Sequence, residues 1–112
     1  MKASTATVRT SKTDTKVGSQ AVAEIVRRRI VVDGHVQGVW FRASADREAA
    51  RLGVAGSAEN RYDGRVELVA EGDRASVDRF IAWARVGPPR AVVTNIRITD
   101  EDPQGERGFR VR

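Results

Sequence analysis

The stretch Ile30-Val31-Val32-Asp33-Gly34-His35-Val36-Gln37-Gly38-Val39-Trp40-Phe41-Arg42 joins an apolar run to a segment of helical spacing. Beyond it Phe41, Ala45, Ala49 and Leu52 recur three and four apart, which lays one apolar stripe along a helix. Before it, residues 29–34 put Ile30 and Val32 on one face of a strand. The residues from Gly34 to Arg42 are therefore a loop that delivers a strand to a helix start. Gly34 and Gly38 let the backbone take conformations closed to other residues, so several N–H groups can turn inward together. A helix start adds unpaired N–H groups and the positive end of its dipole. Arg42 contributes a planar, permanently charged fork able to grip two oxygens of a phosphate. The stretch predicts a site for one small dianion.

Outward from this loop the chain alternates in the same two periods. Gly53 stops the first helix, and a second strand runs from Val54 to about Asn60. Asp63-Gly64 is a hairpin signal, after which Val66, Leu68 and Ala70 alternate with Arg65, Glu67, Val69 and Glu71. Gly72 breaks this third strand, and Asp73 can cap a second helix whose stripe is Val77, Phe80, Ile81 and Ala84. Gly87-Pro88-Pro89 ends that helix. Val92, Ile96 and Ile98 lie on one side of a fourth strand, Asp100 to Glu106 is a polar loop, and Phe109-Arg110-Val111 is a short last strand. The order β-α-β-β-α-β predicts an α+β fold, the ferredoxin-like sandwich. Two helices pack on one face of an antiparallel sheet, with a short extra C-terminal strand. In that topology the third strand lies between the first two, whose C-terminal ends share one edge. The Gly34 loop then comes beside Asn60.

Composition narrows the classes. The chain has 112 residues and no cysteine, so one domain is expected and neither a disulfide framework nor a thiolate metal site is available. His35 is the lone histidine, which leaves no histidine cluster for a metal. No apolar run approaches the roughly 20 residues that span a bilayer. Residues 1–26 are rich in Ser, Thr, Lys and Ala, carry all three lysines and show no apolar periodicity. They are expected to be a disordered N-terminal extension, with Ala21 to Val26 either a small helix or an extension of the first strand. Asp14 and Glu24 speak against an organelle transit peptide. Residues 27–112 form the folded domain, and a cytoplasmic location is expected. The net charge of +5 has its signs interspersed apart from Arg27-Arg28-Arg29. It suits small anionic substrates as well as nucleic acid.

Gly34, Val36, Gln37, Gly38, Val39, Phe41 and Arg42 resemble the signature of the acylphosphatase family. A second signature of that family is similar at Gly56, Asn60, Gly64, Val66 and Gly72, as are the Gly87-Pro88-Pro89 break and the closing Gly108-Phe109-Arg110-Val111. The likeness covers residues 29–112. It implies metal-independent, cofactor-free hydrolysis of acyl phosphates, which are carboxyl-phosphate mixed anhydrides, to a carboxylate and inorganic phosphate. It also implies that phosphate is bound by the loop residues His35, Val36, Gln37, Gly38, Val39, Trp40 and Phe41 with Arg42, and that Arg42 and Asn60 are the catalytic pair, Asn60 orienting the attacking water. The expected partners are a small-molecule acyl phosphate and inorganic phosphate, as product and inhibitor, acting on a monomer. The motifs read the phosphate and leave the acyl group open.

The residues suit that chemistry. A carboxylate is a good leaving group, and a loose phosphoryl-transfer transition state needs mainly positioning and charge stabilisation. An asparagine amide can hold water without titrating near neutral pH. Two departures stand out. Ser57 replaces the usual aromatic of the second motif, so a nearby bulky residue such as Trp40 is expected to fill the space. Glu59 precedes Asn60, and strand alternation should point it away. The rival readings are a binding module for RNA, for which no strand offers a pair of stacking aromatics, and a standalone relative of the acylphosphatase-like domain of hydrogenase-maturation proteins. Neither membrane nor nucleic acid is expected as a partner.

Overall fold

The computed structural model describes residues 24–112. Their elements run β1 (Ile25–His35), α1 (Phe41–Leu52), β2 (Ala55–Asn60), β3 (Val66–Asp73), α2 (Arg74–Ala84), β4 (Val92–Glu101) and β5 (Phe109–Val111). Together they make one sheet in the order β4-β1-β3-β2-β5 with two helices on one face, the expected ferredoxin-like sandwich. All but one of the pairings are antiparallel. The exception is β5, which joins β2 in parallel, so the sheet is mixed at that edge. The expected N-terminal extension lies almost wholly outside the described residues. At its end, Ile25 and Val26 extend the first strand.

β1 is longer than the apolar run because its arginines find partners across the sheet. Arg27 pairs with Glu71 on β3 and Glu101 on β4, Arg28 with Asp100, and Arg29 with Glu67 and Glu101. Cross-strand charge pairs of this kind let a basic triplet continue a strand that hydrophobicity alone would end.

The helix-side face of the sheet carries the core. Ile30, Val32, Val66, Leu68 and Ala70 from β1 and β3 are fully buried beneath Phe41, Ala45 and Ala49 of α1 and Val77, Phe80 and Ala84 of α2. These are the stripes the two periodicities foretell. Trp83 closes the layer: its ring centroid is 5.2 Å from that of Phe41 and 5.8 Å from that of Phe80, and Phe80 in turn stacks at 5.8 Å on Phe109 of β5. Tilted aromatic contacts thus link both helices to the last strand.

The fourth strand departs from its expected face. Val93, not Val92, joins Ile96 against the core, while Val92 and Ile98 are exposed. The cause is a β-bulge: Asp33 pairs with Asn95 and Gly34 with Val93, so Thr94 is skipped and the alternation changes parity. Gly34 makes the bulge possible. It has φ 128°, and a Cβ there would lie 2.0 Å from the Val92 carbonyl oxygen.

Both turn signals act as read. In the hairpin, the Asp63 carboxylate accepts from Arg65 N–H at 3.1 Å, and hydrogen bonding to the Arg65 guanidinium leads in holding its pKa down at about 2. At the start of α2, Asp73 accepts from Ser76 N–H at 3.0 Å. Asp73→Ala should cost about 1 kcal/mol, the usual worth of such a cap, read as a lowered midpoint in thermal unfolding.

A charged layer on the opposite face

The face away from the helices is not bare. Between β4 and β5 the chain must cross from one edge of the sheet to the other, and it does so over this face. Glu71, only 4% exposed, takes hydrogen bonds there from the N–H groups of Gln104, Gly105 and Glu106 at 3.0, 2.7 and 3.2 Å. Arg27, 5% exposed, donates to Glu71, Glu101 and Glu106 at 3.1, 2.8 and 3.1 Å. Burial works to raise the Glu71 pKa, yet these hydrogen bonds outweigh it and leave the carboxyl below its ordinary value. Ser57 is buried on this same face, at 6% exposure, whereas Trp40 is exposed at the end of the loop. Trp40 therefore does not fill the space of the missing aromatic.

Candidate active site

The loop Val36–Trp40 is held against the β2–β3 hairpin by one side chain. Gln37 Nε2 donates to the carbonyl oxygens of Arg61 and Arg65 at 2.6 and 2.9 Å, bracing the loop from beneath. Val36 and Val39 are buried in the core and anchor it at two further points. Gly38, with φ 72°, makes the turn between them.

The helix that follows begins in an unusual way. Its N-cap is Trp40, held in the left-handed conformation at φ 67°, and it offers no side-chain acceptor to the first turn. Helix α2 caps its N-terminus with Asp73, but α1 leaves its own without such a partner. The first intrahelical bond runs from Ser44 N–H to the Trp40 carbonyl at 2.9 Å. The N–H groups of Phe41, Arg42 and Ala43 precede it and have no partner within the helix. They lie where the dipole is positive.

These residues open onto a cleft of about 310 Å³. Gly38, Arg42 and Asn60 provide its polar lining, and Val36, Trp40, Phe41, Ala43 and Val111 the rest. The topology accounts for the meeting: β3 lies between β1 and β2, so the loop leaving β1 and the end of β2 share one edge. Arg42 Nη1 donates to the main-chain oxygen of Arg112 at 2.7 Å, which leaves the other donors of its fork uncommitted among the described residues. The Asn60 amide has no hydrogen-bond partner among the described residues. Glu59 is exposed and points to the other face of the sheet, as alternation requires.

Of the residues singled out in the sequence, Val36, Gly38, Trp40, Phe41, Arg42 and Asn60 converge on this cleft. His35, Gln37 and Val39 do not line it: His35 ends β1 opposite Val92, and the other two side chains face the hairpin and the core. Ala43, Val111 and the Arg112 main chain were not foreseen. The spacing of Ala43, one residue past Arg42 on the first helical turn, could have marked it. Nothing in Phe109-Arg110-Val111 says which edge of the sheet it joins. The aromatics of the core face each other on the helix side, and among the described residues no aromatic pair stands on the opposite face as a platform for bases.

Comparison with known proteins identifies the family of this fold. The family model described as Acylphosphatase matches residues 28–111. The acylphosphatase of Methylococcus capsulatus is 54% identical over 80 residues, which cover 71% of this chain and 87% of that relative. The crystal structure of acylphosphatase from Bacillus subtilis superimposes with a TM-score of 0.76 at 39% identity, covering 78% of this chain and 98% of that one. Full-length HypF, in its phosphate- and nucleotide-bound form, also matches with a TM-score of 0.74 at 26% identity, but over only 12% of its length. The chain accordingly belongs to the acylphosphatase family, and the reaction it catalyses is the hydrolysis of acyl phosphates.

Proposed function

We propose that the cleft holds the phosphate of the substrate on the N–H groups of the loop and of the first turn of α1, with Arg42 spanning two of its oxygens. Asn60 holds the attacking water. The observation that carries this reading is the start of α1 without a side-chain cap, with Arg42 on its first turn, in the same cleft as an Asn60 amide that has no partner among the described residues. The water oxygen attacks phosphorus in line with the bond to the acyl oxygen. That bond breaks, the electron pair leaves with the carboxylate, and the proton of the water passes to a phosphate oxygen. As charge shifts, Arg42 and the N–H groups stabilise it where it develops, which is the work such preorganised donors do best. No separate base or metal enters this scheme.

We take the enzyme to work as a monomer and to act in the cytoplasm, with the residues ahead of β1 an extension outside the catalytic domain. Inorganic phosphate should occupy the cradle and inhibit competitively. The test is hydrolysis of benzoyl phosphate without added metal, followed at its ultraviolet absorbance, with and without phosphate. Asn60→Ala should lower turnover about 10²-fold, as the loss of one oriented polar group does elsewhere. A folded Asn60→Ala with near-normal turnover, or an enzyme indifferent to millimolar phosphate, would contradict these roles.

A further inference from the structure

The two halves of the cleft belong to different elements. The loop Val36–Trp40 leaves β1, Asn60 ends β2, and β3 runs between those strands. Their axes are therefore about 10 Å apart, twice the usual spacing. Among the described residues no main-chain hydrogen bond joins the loop to Asn60 or to the hairpin beyond it. One side chain makes the link. Gln37 Nε2 reaches across from the loop to the carbonyl oxygens of Arg61 and Arg65, at 2.6 and 2.9 Å.

Neither carbonyl needs that donor. The Arg65 oxygen already accepts from Arg61 N–H at 2.8 Å, and the Arg61 oxygen from Gly64 N–H at 3.2 Å, so the hairpin closes by itself. The loop has its own anchors in Val36 and Val39, both buried in the core. Two elements, each secured separately, are thus bonded to one another where their cleft-lining residues are next in sequence. Gln37 stands between Val36 and Gly38, and Arg61 follows Asn60. What the Gln37 amide adds is a fixed separation between the halves.

On the reading that the loop holds phosphate and Asn60 the water, we propose that Gln37 is a positioning residue that sets the distance and angle from the water to the phosphorus. Its side chain is turned away from the cleft, so it acts through the two main chains it joins. In-line attack needs the reacting atoms about 3–3.5 Å apart and aligned, whereas binding of phosphate involves the loop half alone. Loss of the link therefore slows the chemical step and spares phosphate affinity.

The test is a double-mutant cycle on kcat for benzoyl phosphate with Gln37→Met, Asn60→Ala and the two combined, alongside the inhibition constant of inorganic phosphate. Gln37→Met keeps the length and the apolar stem and loses only the donor. It should fold, because both carbonyls retain their hairpin partners, and circular dichroism would establish this. Gln37→Ala repeats the cycle if it does not. Alone, Gln37→Met should lower kcat about 10-fold and move the phosphate inhibition constant by less than about 2-fold. Added to Asn60→Ala it should lower kcat by less than about 2-fold more, since no held water is left to misplace. Losses that multiply in the combined variant, or a phosphate inhibition constant that rises in step with the loss of kcat, would make Gln37 a brace of the loop alone and overturn the proposal. A folded Gln37→Met with the wild-type kcat would do the same. Near-normal turnover in Asn60→Ala by itself would instead overturn the water-holding reading, and this role with it.

Discussion

Arg42→Gln should fold as the wild type does and lose about 10²- to 10³-fold in turnover. The side chain lies at the surface of α1, and its one hydrogen bond among the described residues, to the Arg112 main chain at 2.7 Å, adds little to stability. Its chemistry is another matter. Glutamine offers a neutral amide where the guanidinium offers a charged fork, so in the proposed role one of two oxygens would be released and the charge meeting the developing negative charge would be gone. Arg42→Lys restores the charge without the fork and should recover only part of the rate. Circular dichroism would establish that the variants are folded, and kcat on benzoyl phosphate would measure the effect. A folded Arg42→Gln within a few-fold of the wild type would remove Arg42 from the catalytic role.

Glu71→Ala should be the most destabilising of the changes considered, by about 3–5 kcal/mol, because it removes one partner of a buried ion pair. Arg27 would keep Glu101 and Glu106 but lose its most buried contact, and the N–H groups of Gln104, Gly105 and Glu106 would face a cavity. Urea denaturation would measure the loss, and a cost below about 1 kcal/mol would show that the layer is not a unit. The double variant Arg27→Met, Glu71→Leu should cost less than Glu71→Ala alone, since no charge is left stranded.

The same groups should make stability fall at acid pH, which urea denaturation between about pH 7 and pH 3 would measure. Glu71 and Glu101 both have pKa values below the ordinary 4.5 in the folded protein; at Glu101 the hydrogen bonds from Arg29, then Arg27, are responsible. Each therefore binds a proton less readily folded than unfolded. Their contribution is complete above the ordinary carboxylate pKa and is lost as pH falls below 4.5 through the depressed values.

The sequence disclosed whatever was local. The loop glycines, the stripes of both helices, the Asp73 cap and the hairpin at Asp63-Gly64 each depend on residues a few positions apart, and each stands where it was read. Asn60 beside the loop was legible too, once the order of elements implied the topology. What escaped depended on partners far along the chain. Glu71 alternates with core residues and so reads as a solvated position; it is buried because the link from β4 to β5 has to traverse that face. The skipped Thr94 shifts the apolar face of β4 by one residue, and no pattern within β4 marks it. The edge joined by the three residues of β5 was equally silent, and with it the Val111 wall of the cleft.

That last strand has a consequence for how the protein comes into being. The loop proposed to hold the anion is complete by residue 42 and the amide proposed to hold the water by residue 60, yet Val111 and the main chain that meets Arg42 arrive some fifty residues afterwards. A nascent chain that has emerged only as far as β4 carries the cradle but neither the far wall nor the anchor of its arginine. The loop thus precedes its opposite wall in the order of synthesis, and the cleft is complete only once β5 has joined β2.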